Sequence, residues 1–584
     1  MKANFRLGGR VDALALASIS AAVLSTSPYF DEPPLLLSAA LAAAGASWVG
    51  YRVFEDFKHE NIIPTKLNLR SSKKLSKKEG LMIGYRTDTG KPVYLSDNML
   101  TRHVLVQGGS GYGKTELTKL VALQQIMRGG GLLYVDAKLD SDDLNTFYQF
   151  ASWAGRSQDL LVINPGDASE SHTYNPILYG DEDEVADRIL ALIPASEDNP
   201  GADHYRQSAK QGLATIIGAL KALGIAYNFI DLSILITNQQ ALQELEDKMR
   251  RMIPNHRATK NLSLFLEQYK GGFGVSDQTH NLQNQINIKR LKEMFGGIGS
   301  RLHAFGTGSF GDVANSYSPE VRLYEAIRDN KIIILRLPSM GKPEAAFSFA
   351  KMALADFRTA LAWFQIRKHE RPDPVFLALF DEFGAYAMKS MDQPFEQGRS
   401  AGTSLWPLFQ SYGQLEKVSK EFKQIVNSVT ATKIYFGLGD PIGAEEAATI
   451  IGQTNVVKEG ISGTVRKSTS TPKIAVAPEG GSSSDSALAF SESEEEDFRV
   501  TPDEVRQLDI GEAVMIHKGG ELFHLKLPKI DVEDDLAKEI GPFRIMHIKT
   551  PSVKGCDYFK NSERYLTSSQ PPKKKDKSND KAIV

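Results

Sequence analysis

Residues 103–115 read HVLVQGGSGYGKT, and no other stretch restricts the fold as tightly. A short apolar run of strand character passes into a glycine-rich turn and then into a helical stretch that continues to about Met127. Within it, Gly108, Gly109, Ser110, Gly111, Tyr112, Gly113, Lys114 and Thr115 satisfy GxxxxGK[ST] without a mismatch, in the strand–turn–helix setting that motif needs. Glycines let successive backbone N–H groups curl around a phosphate chain, and the helix N-terminus adds partial positive charge. Lys114 is expected to reach the β- and γ-phosphates of ATP, and Thr115 to offer its hydroxyl to Mg²⁺.

Such a loop needs a sheet behind it. Leu132–Asp136 (LLYVD), Leu160–Asn164 (LLVIN), Lys331–Leu337 (KIIILRL), Val375–Phe380 (VFLALF), Ser404–Phe409 (SLWPLF) and Thr432–Leu438 (TKIYFGL) are continuous apolar runs. Unbroken runs, rather than alternating ones, suit a parallel sheet covered on both faces. Pro407 is awkward inside its run because it removes a ladder donor, so a bulge or an edge position is expected there. A last hairpin is read over Ala513–His517 and Leu522–Leu527, around Gly519-Gly520.

The second half of a nucleotide site is an acidic residue at the end of a buried strand. Asp381 and Glu382 follow VFLALF directly. Asp381 is expected to hold Mg²⁺, mostly through water, and Glu382 to orient and polarise the attacking water. Asp136 also ends a strand and competes for the metal role, but lacks a neighbouring Glu. Gln410 follows SLWPLF and is placed to sense the γ-phosphate or the water. Arg399 lies in the helical segment before that strand; an arginine finger reaching the next subunit and a solvated helix charge are both open readings. Lys423 is a weaker candidate of the same kind.

From about 180 to 320 strands give way to helical periodicity: Tyr205, Ala209, Leu213, Ile216, Ile217 and Leu220 recur on one face. Segments 239–253 and 282–296 are also helix-like. The expected organisation is therefore α/β, a P-loop domain in two pieces, 56–180 and 326–548, separated by an all-helical insertion over 181–325. A flexible acidic loop is expected at 459–497, a capped helix start at Thr501-Pro502-Asp503-Glu504, and a C-terminal tail at 549–584 that is Lys-rich and disordered from Gln570.

Composition narrows the class further. The 584 residues carry one cysteine, which excludes a disulfide scaffold, a Cys-based zinc site and a CxxC motif. The 69 Lys+Arg against 71 Asp+Glu give no global pull toward nucleic acid, so any DNA contact must be local. Arg250, Arg251, Arg257 and Lys260 in the insertion are candidates for it, with a solvated helix face as the alternative. A mean hydropathy of −0.27 excludes a many-span transporter but leaves room for a small anchor.

Residues 11–30 and 33–51 are Ala-rich apolar stretches close to the ~20 residues a membrane span needs. Lys2, Arg6 and Arg10 precede them, eight Lys and Arg follow between Arg52 and Lys78, and the connection carries only Asp31 and Glu32. That is the positive-inside pattern of a two-span anchor over 1–55 with both ends in the cytoplasm. A soluble hairpin and a cleaved signal peptide are the alternatives.

Taken together, TRHVLVQGGSGYGKTEL, LLYVDAKLD, DLLVIN, KIIILRLPSM, LALFDEFGAYA, GRSAGTSLWPLFQS and ATKIYFGLGDP resemble the type IV secretion coupling protein family, of the TraD/TraG and DotL type, over roughly residues 80–530. FDEFG, then GRSAG, then a strand ending in Gln is the most specific part. The resemblance implies a RecA-like P-loop NTPase domain with an inserted all-α domain, behind a two-helix transmembrane hairpin. It implies a homo-hexameric ring at the bacterial inner membrane with most of the chain in the cytoplasm. It also implies hydrolysis of ATP with Mg²⁺ to pass a relaxase–DNA complex (relaxosome), or secreted proteins, to a secretion channel. By motif, Lys114, Thr115, Asp381, Glu382 and Gln410 fall on the family's functional positions, and Arg399 where the family has a basic residue proposed to act between subunits. Trp406 and Pro407 depart from the small or branched residues usual there, and the acidic loop is a local elaboration. The alternatives are a protein-effector coupling ATPase, a DNA translocase related to FtsK and HerA, and a nucleotide-gated membrane scaffold without turnover.

Overall fold

The computed structural model describes residues 63–74, 80–192, 200–271, 285–295, 297–464, 487–517 and 520–563. The predicted anchor over 1–55 and the tail beyond 563 lie outside these residues. Among the described residues, no helix is long and apolar enough to cross a membrane. The described chain falls into two compact units, 63–434 with 511–563, and 435–464 with 487–510.

In chain order the strands are β1 (Lys66–Asn68), β2 (Gly80–Arg86), β3 (Pro92–Ser96), β4 (Val104–Gln107), β5 (Leu132–Asp136), β6 (Leu160–Ile163), β7 (Ile332–Arg336), β8 (Phe376–Phe380), β9 (Thr403–Phe409), β10 (Thr432–Phe436), β11 (Gln453–Thr464), β12 (Ala487–Phe498), β13 (Glu512–His517), β14 (Glu521–Lys526) and β15 (Lys529–Asp531). Eleven of them form one sheet in the order β3-β2-β14-β13-β10-β4-β9-β8-β5-β7-β6. The pairs β4–β9, β9–β8, β8–β5, β5–β7 and β7–β6 are parallel, whereas β13–β14, β14–β2 and β2–β3 are antiparallel. Every residue of β4 through β9 is buried, as a sheet covered on both faces requires.

Contrary to the expectation of a bulge or an edge, Pro407 sits in a central strand, between β4 and β8. Register explains the tolerance. The Leu405 N–H donates to His103 Nδ1, and the Phe409 carbonyl accepts from Gly108 N–H, so alternation turns residue 407 toward the same neighbour, β4. Pairing between β4 and β9 begins only at Val106↔Leu408, one position beyond the proline, so the missing donor falls outside the ladder. Trp406 is buried beside it and donates its indole N–H to Ser404 Oγ at 2.9 Å.

Between β6 and β7 the described residues form helices and turns, with no strand. The helix Glu182–Leu190 starts at a capping box of Asp181 and Glu184. The long helix Pro200–Ala222 buries Ala209, Leu213, Ile216, Ile217 and Leu220, the face its periodicity marked. Part of the expected C-terminal tail lies along this helical region. Ala226 N–H donates to the Lys554 carbonyl, Cys556 N–H to the Ala226 carbonyl, and Tyr558 N–H to buried Asp231 Oδ1. Burial pushes the Cys556 thiol upward, away from the reactive thiolate.

In the smaller unit, the helix Pro441–Ile451 is capped by Asp440, and β11 pairs antiparallel with β12 from Gln453↔Phe498 to Thr464↔Ala487. The backbone at 459–464 and 487–497 is therefore paired strand rather than the expected loop. The acidic Ser-rich composition hides the β-branched residues Thr454, Val456, Val457 and Ile461 on the partner strand. The helix Pro502–Arg506 begins at a Thr501–Glu504 capping box, as its sequence predicts.

Candidate active site

The site lies where β4, β8 and β9 end. After β4 the chain turns through the glycine loop into α1 (Lys114–Met127). Gly111 and Gly113 hold φ of 82° and 119°, backbone that a side chain strains against. The loop is anchored at both ends: Gly108 N–H donates to the Phe409 carbonyl at the tip of β9, and the Tyr112 carbonyl accepts from Gly511 N–H. Lys114 is buried, its ammonium donating to the carbonyls of Gly108 at 2.6 Å and Gly109 at 3.0 Å. Burial lowers its pKa, with the Glu382 and Asp381 carboxylates opposing that shift.

Asp381 is buried, and burial raises its pKa. Its carbonyl accepts from the buried Tyr386 hydroxyl at 2.7 Å, which ties down the turn after β8. Glu382 adopts left-handed backbone, φ 50° and ψ 40°, costly for a side-chain-bearing residue and found most often at functional sites. Gln410, at the tip of β9, donates its amide to Glu382 Oε1 at 2.9 Å, and its own N–H donates to Gln414 Oε1. Gly384 makes room for this arrangement, since a Cβ there would lie 2.4 Å from the Gln414 Cβ. Lys114, Asp381, Glu382 and Gln410 thus converge from loci far apart in sequence.

Lys138 is the residue that motif reasoning passed over. Its ammonium lies 3.1 Å from Asp381 Oδ2 and 3.4 Å from Glu382 Oε1, and both carboxylates raise its pKa. The signal was its position two residues after Asp136 in YVDAK, at the end of the strand that pairs with β8. Asp136 itself is buried, accepts the Lys138 backbone N–H at 2.8 Å and faces Arg336 Nε at 3.7 Å.

Arg399 lies exposed in the 3₁₀ turn Gly398–Ala401, with no side-chain partner among the described residues, and does not join the cluster. Lys423 pairs with Glu416 at 2.8 Å and lies over the Tyr412 ring, and Arg250 pairs with Glu246 at 2.6 Å. Among the described residues, no group of three or more His, Cys, Asp or Glu side chains could hold a metal.

A phosphate loop between β4 and α1, an acid pair ending β8 and a glutamine ending β9, on a mixed sheet with a parallel half, define a P-loop NTPase fold. Comparison takes this further: the chain is similar to type IV secretion coupling proteins. Residues 375–509 match the family described as the TraM recognition site of TraD and TraG. The type 4 coupling protein DotL of Legionella pneumophila is 23% identical over 400 residues, covering 60% of this chain and 49% of that protein, so the match spans about half of the relative's length. The bacterial conjugative coupling protein TrwBdeltaN70 superposes in its unbound monoclinic form with a TM-score of 0.53 at 15% identity, covering 80% of this chain and 94% of that one. Its trigonal form in complex with sulphate gives the same figures, which support the fold.

Proposed function

We propose that this chain is a coupling ATPase, anchored in the bacterial inner membrane by residues 1–55, that hydrolyses ATP to pass a relaxase–DNA complex to a type IV secretion channel. The observation that carries the enzymatic part is the Glu382 carboxylate, held by Gln410 beside Asp381 and across from the Lys114 loop. A scaffold that only bound nucleotide would need no such oriented base. The donor set fits ATP with Mg²⁺. Gly111 leaves open space over the loop, α1 presents its N-terminus, and a hydroxyl and a carboxylate, Thr115 and Asp381, are hard oxygen ligands of the kind Mg²⁺ uses alongside phosphate oxygens. The cationic Lys138 ammonium already lies against Asp381, the charge type that carboxylate calls for. When bound, Mg²⁺ neutralises charge developing on the β- and γ-phosphate oxygens.

The protein's own part follows from the geometry. Lys114 exchanges its two loop carbonyls for phosphate oxygens. Glu382 accepts a proton from, or aligns, the attacking water, and Gln410 keeps that carboxylate aimed. Arg399, exposed and outside the cluster, is free to act on the site of a neighbouring subunit in a homo-hexamer. The conjugative reading draws on TrwB, whose described role is conjugative coupling.

The test is ATP turnover by the purified full chain with and without DNA across a salt series. Turnover lost in Lys114→Ala and stimulated by DNA at low salt is the expected result, because phosphate contacts release counterions. Turnover indifferent to DNA at every salt concentration overturns the DNA reading in favour of protein substrates. No turnover under any condition overturns the ATPase.

A further inference from the structure

Two lysines stand in this site, and the proposed chemistry uses only Lys114. The second is held by its backbone. Lys138 N–H closes onto Asp136 Oδ1, the Asp136 carbonyl accepts from Leu337 N–H at 2.9 Å, and the Ser339 hydroxyl donates to the Ala137 carbonyl. The turn after β5 is thereby clamped to the end of β7, and Leu139 leaves it in left-handed backbone, φ 57°. The Lys138 side chain spans the other way, to the end of β8, where it touches both carboxylates of the acid pair. It is 46% exposed, while Asp381 beneath it is 5% exposed. A half-exposed cation therefore covers a buried anion from the solvent side.

From this geometry we infer that Lys138 is an exchangeable counter-ion. It holds Asp381 and Glu382 together when the site is free of divalent metal and gives them up when metal and nucleotide enter. The reasoning is electrostatic. Two adjacent carboxylates, one desolvated, repel each other unless a cation lies between them. An ammonium in contact with Asp381 opposes a divalent ion at the same oxygens, because like charges a few ångströms apart in a partly buried site are strongly unfavourable. Lys138 therefore weakens metal binding to the empty site and leaves Asp381 only when nucleotide phosphates offer it another anion. Metal and nucleotide then bind together rather than separately. This inference rests on the Mg²⁺–ATP reading of the site.

The experiment is a Mn²⁺ titration of the full chain without nucleotide, read by electron paramagnetic resonance, for wild type, Lys138→Met and Lys138→Arg. Lys138→Met is expected to bind Mn²⁺ about ten-fold or more tightly, the size of shift one adjacent charge produces. Lys138→Arg keeps the charge and should match wild type. In ATPase assays, half-saturation by Mg²⁺ at fixed ATP should fall by a similar factor in Lys138→Met. Unchanged or weaker Mn²⁺ affinity in Lys138→Met overturns the exchange role, as would a phosphate-contacting lysine whose loss weakened nucleotide binding alone. Should Lys138→Met fail to fold by circular dichroism, Lys138→Gln takes its place. Because the titration contains no nucleotide, its result stands apart from whether wild type hydrolyses ATP.

Discussion

The ends of β5 and β8 lie side by side in the sheet, paired in parallel with Val135 opposite Phe380, and each is followed by a buried aspartate. Their chemistry nevertheless diverges. Asp136 is consumed by its own turn: one oxygen takes the Lys138 N–H and the other faces Arg336. Among the described residues Asp381 is in ion-pair contact with Lys138, has the Lys114 ammonium further off, and has a second carboxylate beside it. Burial raises both, Asp136 to about 6. What separates them is whether the carboxylate is taken up by its own turn and a buried arginine or left facing a half-exposed ammonium. A strand-end aspartate alone does not identify a metal ligand; the loop that follows it does.

The largest expected effect tests that division directly. Glu382→Gln should lower ATP turnover by roughly 10²–10⁴-fold, the usual contribution of a positioned acid or base, and Asp381→Asn should be comparably damaging through loss of a charged metal ligand, while Asp136→Asn should stay within a few-fold of wild type. Steady-state assays of the three variants decide it. If Asp136→Asn is as damaging as Asp381→Asn, the two strand ends are functionally equivalent and the contrast fails.

Stability gives the next test, with the opposite winner. The Asp136 pKa is raised from 3.8 to about 6 by burial, so the folded protein binds its proton more tightly than the unfolded chain does. Its stabilising contribution is complete below the unfolded value and is lost as pH rises through the folded one, between about 4 and 6. Above pH 6 the buried charge is a penalty of up to about 3 kcal/mol, from 1.36 kcal/mol per unit. Asp136→Asn should therefore raise the thermal midpoint at pH 8 and leave it unchanged near pH 3.5. A gain that is equal at both pH values points to packing instead.

Much of this arrangement was legible in the residues. The buried strands announce themselves as apolar runs because a two-sided parallel sheet leaves no polar face, and the glycine loop and FDEFG carry their geometry in spacing. Three features were not legible, each for a physical reason. Pro407 breaks a local rule, but the register that excuses it is set by where β4 starts to pair with β9. The β11–β12 hairpin is carried by backbone pairing beneath a composition typical of loops. Lys138 reaches partners at the end of the adjacent strand β8, more than 240 positions away in sequence, so its place after Asp136 marks the strand end but not the partners.

Gly384 bears on the β8 side of the comparison through sterics. A methyl group there meets the Gln414 Cβ at 2.4 Å, and Gln414 in turn accepts from Gln410. Gly384→Ala should cost about 1–3 kcal/mol, typical of overpacking, and lower turnover by pushing Gln410 off Glu382. Gln414→Gly in the same chain should recover most of the stability, measured by denaturant unfolding. Without that recovery, the clash is not the cause.

The smallest effect sharpens the comparison most. Each strand end is followed by a side-chain-bearing residue in left-handed backbone, Leu139 at φ 57° after β5 and Glu382 at φ 50° after β8. The conformation costs roughly 1–2 kcal/mol relative to glycine, partly offset by the greater freedom glycine gives the unfolded chain. Leu139→Gly and Glu382→Gly should therefore each be neutral to about 1 kcal/mol stabilising in denaturant unfolding. Their activities should part company. Leu139→Gly relieves strain in a turn that only carries Lys138 and should keep turnover within about two- to three-fold, whereas Glu382→Gly relieves the same strain and removes the base. Equal strain with unequal consequence is the outcome that identifies the turn after β8 as strained for chemistry. A comparable loss of turnover in Leu139→Gly would mean that the β5 turn must also be held rigid for Lys138 to do its part.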